Sequence, residues 1–368
     1  MPRDFLSSIK SASSVFTFRD LMLLPGRSEA EPSEIDLAAS LTRNIRLKLP
    51  IVSSPMDTVT GWRMALGMAR LGGAGVVHRN MSADDQVDQV KKVKSSKVKA
   101  QSTDSKGRPL VGAAVSPLDR PRCLALDRVA DFLVSDVAHF HNSNIMSASK
   151  ALLKDLSADF VVGNVGTSAA VEDILGELPR VDGFRAGIGS GSICTTSEVT
   201  RVGAPTLYAV AQVSTALGSA GSSIPVIADG GIRGPGDATL ALAAGASSVM
   251  LGSLLAGTDE SPGRIVKQKG RRMKVHRGMA SAAARKVRFA LDRYSVPAKG
   301  LDEGIEAYVP YAGKLDIVAE RMENGMRASL GYAGAKSISD LWRVASFGFV
   351  SPLGAVELGA HSLIPKRA

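Results

Sequence analysis

Cysteine and aromatic residues are scarce in this chain of 368 residues. Only two cysteines occur, and Phe, Trp and Tyr together make up 5% of the residues. Two cysteines are too few for a disulfide framework and suit a reducing compartment. No stretch is apolar for the length of a membrane span, and the first residues show no basic segment followed by an apolar run and a cleavage site. The sequence therefore predicts a cytoplasmic protein without a membrane segment.

Acidic residues are missing from the most basic part of the chain. The net charge is +10, and the segment from Arg264 to Arg288 has ten Lys and Arg residues but neither Asp nor Glu. No aromatic residue lies among these charges, so a stacking platform for single-stranded nucleic acid is not expected. Two interpretations stay open: a solvated basic hairpin, or a segment that contacts an anionic ligand.

Short apolar runs that end in Gly, Ser, Asp or Asn alternate with segments of helical periodicity. The eight runs are PIVSSPMD, GAGVVHRN, LVGAAVS, FLVSDVA, FVVGNVG, GFRAGIGSG, PVIADGGI and SVMLGSLLAG. Continuous apolar character predicts strands that are buried on both faces, as in a parallel sheet covered by helices. The weakest helix prediction lies between the third and fourth runs, in PLDRPRCLALDRV. Eight βα units predict one (β/α)8 TIM barrel, an α/β catalytic domain spanning residues 1–368.

A doubly wound sheet is the alternative fold. That fold would place a glycine-rich fingerprint after the first strand, where none occurs; GIGSGS at 187–192 departs from the spacing and follows the sixth strand.

Two segments depart from the barrel pattern. The residues from about 257 to about 326 form a long excursion, which we interpret as a hairpin and mobile flap before a last helix around Ile338 to Val344. The polar residues from Lys94 to Arg108 indicate a linker, which is either a mobile loop or the remnant of a lost insertion.

Cys194 is the main candidate for chemistry. It lies in GSGSICTT, directly past a predicted buried strand, on a loop whose glycines leave backbone N–H groups free to face a ligand. An exposed thiol in such a loop is suited to covalent catalysis, although most lone cysteines are small core residues. Cys123 has no glycine loop, and we expect it to be a core residue.

Other candidates also follow the predicted strands. Asp229 in ADGG suits the two vicinal hydroxyls of a ribose, or else it is a structural cap. Arg293 and Tyr294 lie in the predicted flap, where such a pair could take a proton from water. By itself this pair does not indicate a catalytic role, since Arg-Tyr neighbours are common on protein surfaces. Glu303 in DEGIE does not indicate one by itself either.

Together the segments resemble the IMP dehydrogenase and GMP reductase family over nearly the whole chain. The motifs, in the family's order and spacing, are SSPMDTVT, GIGSGSICTT, IPVIADGGIR, VMLGSLLAGTDESPG, RGMAS, DRY and EGIE. The resemblance implies that Cys194 attacks C2 of a bound purine nucleotide beside Thr196. It implies that Asp229 holds the ribose, and that the remaining substrate contacts come from Ser54, Met56, Ser192, Gly231, Gly252, Ser253, Gly278, Met279 and Glu303.

The resemblance also implies a cofactor, a cation and an assembly. Asp136, Asn164 and Arg185 correspond to residues on the NAD side of the family's site. The carbonyls of Gly189, Gly191 and Cys194 correspond to those that bind a monovalent cation, usually K⁺, with Glu357 supplied by a neighbouring subunit. The family resemblance implies a homotetramer.

Two activities occur in this family, and the sequence favours the dehydrogenase. Arg293 and Tyr294 stand in the dehydrogenase's DRY context, SSPMD replaces the reductase's ANMD-like sequence, and Arg277 precedes Gly278 as in the dehydrogenase's RGM. In that reaction the Arg-Tyr pair helps hydrolyse the covalent intermediate to XMP. The alternative is a GMP reductase, which uses NADPH. A third, non-enzymatic hypothesis is a barrel that binds RNA or a protein partner through its basic segment.

Three features depart from the dehydrogenase pattern. The paired regulatory CBS modules are absent, with only residues 94–108 in their place, and reductases commonly lack them too. His276 replaces a tyrosine, which could alter phosphate contacts. Phe140 replaces a glycine, which could crowd the cofactor side.

Overall fold

Eight parallel strands form a closed barrel in the computed structural model, which describes residue 7, residues 10–286 and residues 303–357. Pairing of Val249 with Ile51 joins the last strand to the first and closes the ring. The predicted TIM barrel is confirmed, and each of the eight predicted runs contains one strand. The strands are β1 Ile51–Ser53, β2 Ala74–Val77, β3 Gly112–Val115, β4 Phe132–Ser135, β5 Asp159–Val165, β6 Gly183–Ala186, β7 Val226–Asp229 and β8 Ser248–Leu251.

Helices follow the strands and cover the outside of the barrel. Several begin at a side-chain cap: Ser82 accepts a hydrogen bond from Asp85 N–H, Asn142 accepts from Ile145 N–H, and Thr167 accepts from Ala170 N–H. The weakest helix prediction is confirmed, because a helix capped by Asp119 joins β3 to β4. The helices are α1 Trp62–Arg70, α2 Ala83–Lys94, α3 Arg120–Asp127, α4 Ser143–Leu152, α5 Ser168–Glu177, α6 Thr206–Ser219, α7 Pro235–Ala243 and α8 Leu315–Ala333.

The barrel strands are buried on both faces, as their continuous apolar runs predict. Val52, Val134 and Ile227 belong to a cluster inside the barrel, whereas a larger cluster fills the space between the strands and the helices. A short hairpin of Ala39–Ser40 and Arg46–Leu47 closes the N-terminal end of the barrel, where Leu47 joins the inner cluster. Packing therefore fills that end and leaves the opposite, C-terminal end for a site.

The predicted excursion after β8 is too long. Helix α8 runs from Leu315 to Ala333, so the irregular part ends near residue 314 rather than near 326. Met322, Met326 and Leu330 lie buried on one face of this helix, against the outside of the barrel. A Cβ on Gly325 would lie 2.3 Å from Pro235, so glycine permits the close approach of α8 to α7.

The basic segment forms a hairpin, and a third strand that the sequence did not predict extends it. Strands β9 Ile265–Gln268, β10 Arg271–Arg277 and β11 Glu306–Pro310 form an antiparallel sheet. The tip is exposed, but Lys274 is buried and donates to the carbonyls of Thr258 at 2.6 Å and Ser261 at 2.7 Å. Part of the basic charge is thus used to attach the hairpin to the barrel.

The linker from Lys94 to Arg108 is pinned to the barrel. The buried Lys94 ammonium pairs with Asp104 at 2.9 Å and with Asp131 at 2.7 Å, and Asp104 also pairs with Arg108. These ion pairs hold the segment against the barrel, which argues against the mobile loop; the origin of the segment in a lost insertion stays a prediction.

The remaining described elements are short. A two-stranded sheet joins Leu21–Leu23 to Phe347–Phe349, so segments near the two ends of the chain meet. Within the described ranges, no helix has the length and apolar character that crossing a bilayer requires. The short helices are Pro32–Glu34 (3₁₀), Thr196–Thr200, Ser253–Ala256, Ala282–Arg285, Ile338–Val344 and Gly354–Glu357.

Candidate active site

Cys194 lies at the C-terminal end of the barrel, on the loop that follows β6. The loop turns at Gly187 and Gly189, whose φ values of 126° and 77° favour glycine. Backbone hydrogen bonds attach the loop to the segment before β11, from Thr195 N–H to the Glu303 carbonyl and from Ile305 N–H to the Ile193 carbonyl. The thiol is half-buried and lines a pocket. By contrast, Cys123 is a fully buried core residue, as predicted, and its Sγ lies 3.2 Å from the Ser116 carbonyl.

A short hydrogen-bonded relay leads from the thiol to a buried carboxylate. Cys194 Sγ donates to Thr196 Oγ1 at 3.2 Å, and Thr196 Oγ1 donates to Glu303 Oε2 at 2.9 Å. Glu303 is 2% exposed, so its carboxylate is shielded from solvent. Such a chain can carry a proton from the thiol, or from a water beside it, to the carboxylate. The sequence placed Thr196 and Glu303 at the site but did not pair them.

The ends of β7 and β8 form the opposite wall of the pocket. Asp229 is the last residue of β7, and Gly230 and Gly231 follow it with φ values of 97° and 73°. Gly252 and Ser253 follow β8 at the start of a short helix. In TIM barrels, backbone amides at the ends of these two strands commonly bind phosphate.

Buried charges connect this wall to Asp136, which follows β4. Arg185 on β6 pairs with Asp229 Oδ2 through Nη2 at 2.8 Å, and Asn164 Nδ2 donates to the same oxygen at 2.9 Å. Arg185 Nη1 lies 3.8 Å from Asp136 Oδ1. Asp136 follows β4 and pairs in turn with Arg79 at the end of β2. Asp136 and Asp229 therefore line one pocket with the Arg185 guanidinium between them.

His276 on β10 also lines the pocket, and burial keeps its imidazole neutral. The ring Nδ1 lies 3.1 Å from Thr58 Oγ1, and loss of hydration lowers the pKa of His276 to about 4. The next residue, Arg277, pairs with Asp57 Oδ2 at 2.7 Å, and Met279 Sδ accepts from Asp57 N–H. These contacts attach the inner end of the basic hairpin to the loop after β1.

Most of the sequence-predicted site residues meet in this one pocket, although they are spread over 250 positions of the chain. Those that line it are Ser54, Met56, Asp136, Asn164, Arg185, Gly189, Gly191, Ser192, Cys194, Thr196, Asp229, Gly231, Gly252, Ser253, Gly278, Met279 and Glu303.

Three predicted residues are not placed there. Arg293 and Tyr294 lie outside the described residues, and Glu357 ends the short helix Gly354–Glu357, its side chain not among those described. The expectation that Phe140 crowds the cofactor side is wrong, because its ring is fully buried in the core.

Sequence reasoning missed Arg79. It lies two residues past the end of a buried strand, which is the position that should have drawn attention to it. In the described ranges no group of three His, Cys, Asp or Glu side chains is arranged to hold a metal ion.

Comparison with known proteins agrees with this geometry. A sequence model of the IMP dehydrogenase / GMP reductase domain matches residues 15–361. The inosine-5'-monophosphate dehydrogenase of Cryptosporidium parvum is 39% identical over 392 residues, with 96% of each chain covered. That of Korarchaeum cryptofilum is 37% identical over 463 residues, with 95% of this chain and 97% of the relative covered. Both alignments are longer than this chain of 368 residues, so both relatives contain residues that are missing here. The chain belongs to the IMP dehydrogenase / GMP reductase family.

Proposed function

We propose that this protein is an IMP dehydrogenase, which oxidises IMP to XMP with NAD through a covalent bond between Cys194 and C2 of the purine. The observation that carries the proposal is the relay from Cys194 through Thr196 to Glu303, placed in a pocket lined by the residues that the family resemblance names. A thiol with a neighbouring proton acceptor has the arrangement that nucleophilic catalysis requires.

We assign the substrate one orientation in the pocket. The carboxylate of Asp229 suits the 2′- and 3′-hydroxyls of the ribose, because both of its oxygens can accept hydrogen bonds. Ser192, Gly231, Gly252 and Ser253 would hold the phosphate at the ends of β6, β7 and β8. The base would then lie near Cys194, framed by Ser54, Met56, Gly278 and Met279.

The covalent step begins with proton loss from Cys194 along the relay. Its sulfur forms a bond to C2, and the hydrogen at C2 leaves with its electron pair. When bound, NAD supplies the oxidant that accepts this hydride. Water then adds to C2, and as the C2–S bond breaks the Cys194 thiolate takes back the proton held by the relay. XMP leaves, and the proton released by water goes to a base, which can be the carboxylate that the relay has just freed.

Two sets of residues would serve as that base. Thr196 and Glu303 already form a hydrogen-bonded pair beside Cys194. Arg293 and Tyr294 are our second assignment, which rests on the family resemblance of the DRY motif.

The cofactor side of the pocket fits a dinucleotide. Asp136 is a carboxylate that can accept from both hydroxyls of the nicotinamide ribose, and Asn164 lies beside it in the pocket wall. Within the described chain, Arg185 Nη1 is buried without a hydrogen-bond partner. A buried donor of this kind is costly unless a ligand satisfies it, which favours a polar ligand group nearby.

We further propose a monovalent cation site and a homotetramer. The carbonyls of Gly189, Gly191 and Cys194 would bind K⁺, a hard cation that suits oxygen ligands, and Glu357 of a neighbouring copy would complete the site. A Cβ at Gly189 would lie 1.9 Å from Ser197 Oγ, so this loop packs tightly against the helix Thr196–Thr200. Exposed apolar side chains near residue 350, such as Phe349 at 77%, suit burial against another copy.

Our proposal also includes the compartment in which the protein works. Both cysteines are free, and we propose that the enzyme works in the cytoplasm without nucleic acid or membrane partners.

One pair of assays tests the function and separates the two family activities. Purified protein is mixed with IMP and NAD, and separately with GMP and NADPH, while the near-ultraviolet absorbance of the reduced nicotinamide is followed. The proposal predicts NADH production in the first mixture and no NADPH consumption in the second. NADPH consumption with GMP alone would identify a GMP reductase instead.

A further inference from the structure

Arg79 is among the largest fully buried side chains, and it contacts the carboxylate on the cofactor side of the pocket. Its Nε donates to Asp136 Oδ2 at 3.2 Å, and its Nη2 donates to the Asp136 carbonyl at 2.9 Å. Both side chains of the pair are only 2% exposed. Asp136 lines the pocket whereas Arg79 does not, so the arginine lies behind the carboxylate.

The backbone of Arg79 is held in place by a second buried arginine. Arg122 Nη1 donates to the Arg79 carbonyl at 3.3 Å and to Gln86 Oε1 at 2.8 Å, and its Nη2 donates to the Met81 carbonyl at 3.0 Å. Helix α3 therefore supports the loop after β2. A side chain fixed in this way has few alternative positions, so it can hold its partner in one orientation.

Stability alone does not account for this pair. A buried ion pair typically gains little over apolar residues of the same volume, because both charges lose their hydration. Asp136 lines the pocket, and Arg79 lies directly behind it. The cost of burying them is better explained by what Asp136 does in that pocket.

We propose that Arg79 is a positioning residue for the dinucleotide. It fixes the carboxylate of Asp136 by donating to Oδ2, so that the carboxylate is held in one orientation toward the vicinal hydroxyls of the nicotinamide ribose. This inference rests on the proposed function. Its specific content is that Arg79 acts on the cofactor through Asp136, and not on the purine nucleotide. Asp229, which faces the substrate ribose, takes its charged hydrogen bonds from Arg185 and not from Arg79.

The test is a double-mutant cycle on the KM for NAD. Arg79→Met should raise that KM by roughly 10- to 100-fold, as loss of a hydrogen bond to a charged group does. The KM for IMP should change by less than about threefold, since Arg79 reaches Asp229 only indirectly, through Asp136 and the 3.8 Å contact between Asp136 and Arg185. Asp136→Asn should raise the KM for NAD by itself. Adding Arg79→Met to Asp136→Asn should then have little further effect, because the carboxylate that Arg79 orients is gone.

Two controls keep the result interpretable. Arg327→Met removes another arginine that pairs with a carboxylate, that of Glu323 on α8, away from the pocket; it should leave both KM values unchanged. If Arg79→Met does not fold, Arg79→Lys serves in the same cycle. Lysine keeps the charge but cannot make the arginine's two contacts with Asp136.

The outcomes separate this proposal from the proposed function. Absence of turnover by the parent protein with IMP and NAD would count against the function itself. An active parent whose Arg79 variants keep the KM for NAD would overturn the positioning role. Equal, additive effects in the two single variants, or equal increases in both KM values, would also overturn it, since they indicate a general structural role.

Discussion

Replacing Asp229 with asparagine should weaken nucleotide binding through the ribose. In the structure, Asp229 Oδ2 accepts from Asn164 Nδ2 and Arg185 Nε, both at 2.9 Å, and from Arg185 Nη2 at 2.8 Å. The carboxylate is thus held rigidly, with its remaining acceptor capacity available to the ribose. Asparagine has nearly the same shape, but it is neutral and has a single acceptor oxygen.

The magnitude follows from the bonds that are lost. A hydrogen bond to a charged group contributes about 1.5–3 kcal/mol, so losing two of them to the ribose hydroxyls should raise the Kd for IMP by roughly 10²- to 10⁴-fold. The variant should also be less stable by about 3 kcal/mol, because Arg185 loses its carboxylate partner while buried.

The assay compares IMP with 2′-deoxy-IMP by calorimetric titration in the absence of NAD. The parent protein should bind IMP roughly 10- to 100-fold more tightly than the deoxy analogue, whereas Asp229→Asn should discriminate by only a few-fold. Asp237→Asn is the matched control, since Asp237 pairs with Arg233 outside the pocket. Equal discrimination by the parent and by Asp229→Asn would refute the assignment of Asp229 to the ribose.

Further expectations concern the nucleophile, the flap, buried histidines and regulation. Cys194→Ala should abolish turnover while IMP still binds; turnover near that of the parent, measured as NADH formation, would exclude the nucleophile assignment. Arg293→Ala should give an NADH burst of about one per active site in a rapid-mixing experiment, and then a steady state slower by ~10² or more; hydrolysis at the parental rate would remove the pair from the mechanism. Burial lowers the pKa of His276 and His78 from 6.5 to about 4, so the unfolded chain binds more protons between these values and stability falls as the pH falls from about 6.5 to about 4. The slope should reach up to about 1.4 kcal/mol per pH unit for each histidine, and thermal melts of His276→Gln should show a shallower slope than the parent. Because CBS modules are absent, ATP and GTP should not lower the maximal rate at unchanged substrate affinity; such an effect in steady-state kinetics would contradict that expectation.

Local patterns in the sequence were sufficient to predict the barrel. Each βα unit carries its own signal, a buried run followed by a periodic segment, and eight of them in order leave few alternatives to closure. The same logic placed Cys194, Asp136 and Asp229 after strands, and parallel strands bring such residues to one end of the barrel. The identity of the chemistry came from the motifs and their resemblance to a family, since strand ends alone do not specify a purine nucleotide.

The sequence prediction missed the first half of helix α8, although the helical periodicity was present in the sequence. Leu315, Ala319, Met322, Met326 and Leu330 recur at helical spacing and all lie buried. The turn residues in the segment before this helix favour irregular structure, and the prediction extended that irregular region too far. The helical signal was in the sequence, but tertiary packing against α7 is what permits Gly325 and the other weak helix formers in this stretch.

By itself the sequence determined the number and order of the strands, the cysteine at the sixth strand and the position of the basic hairpin. Only the tertiary structure decided which side chains pair: Thr196 with Glu303, 107 positions apart, and Arg79 with Asp136, 57 positions apart. It also decided that His276 is buried against Thr58 and that Lys274 attaches the basic hairpin to the barrel through the Thr258 carbonyl. The physical reason is that burial and pairing depend on distances between strand ends, and those distances exist only once the barrel closes and long-range packing excludes water from the polar groups between them.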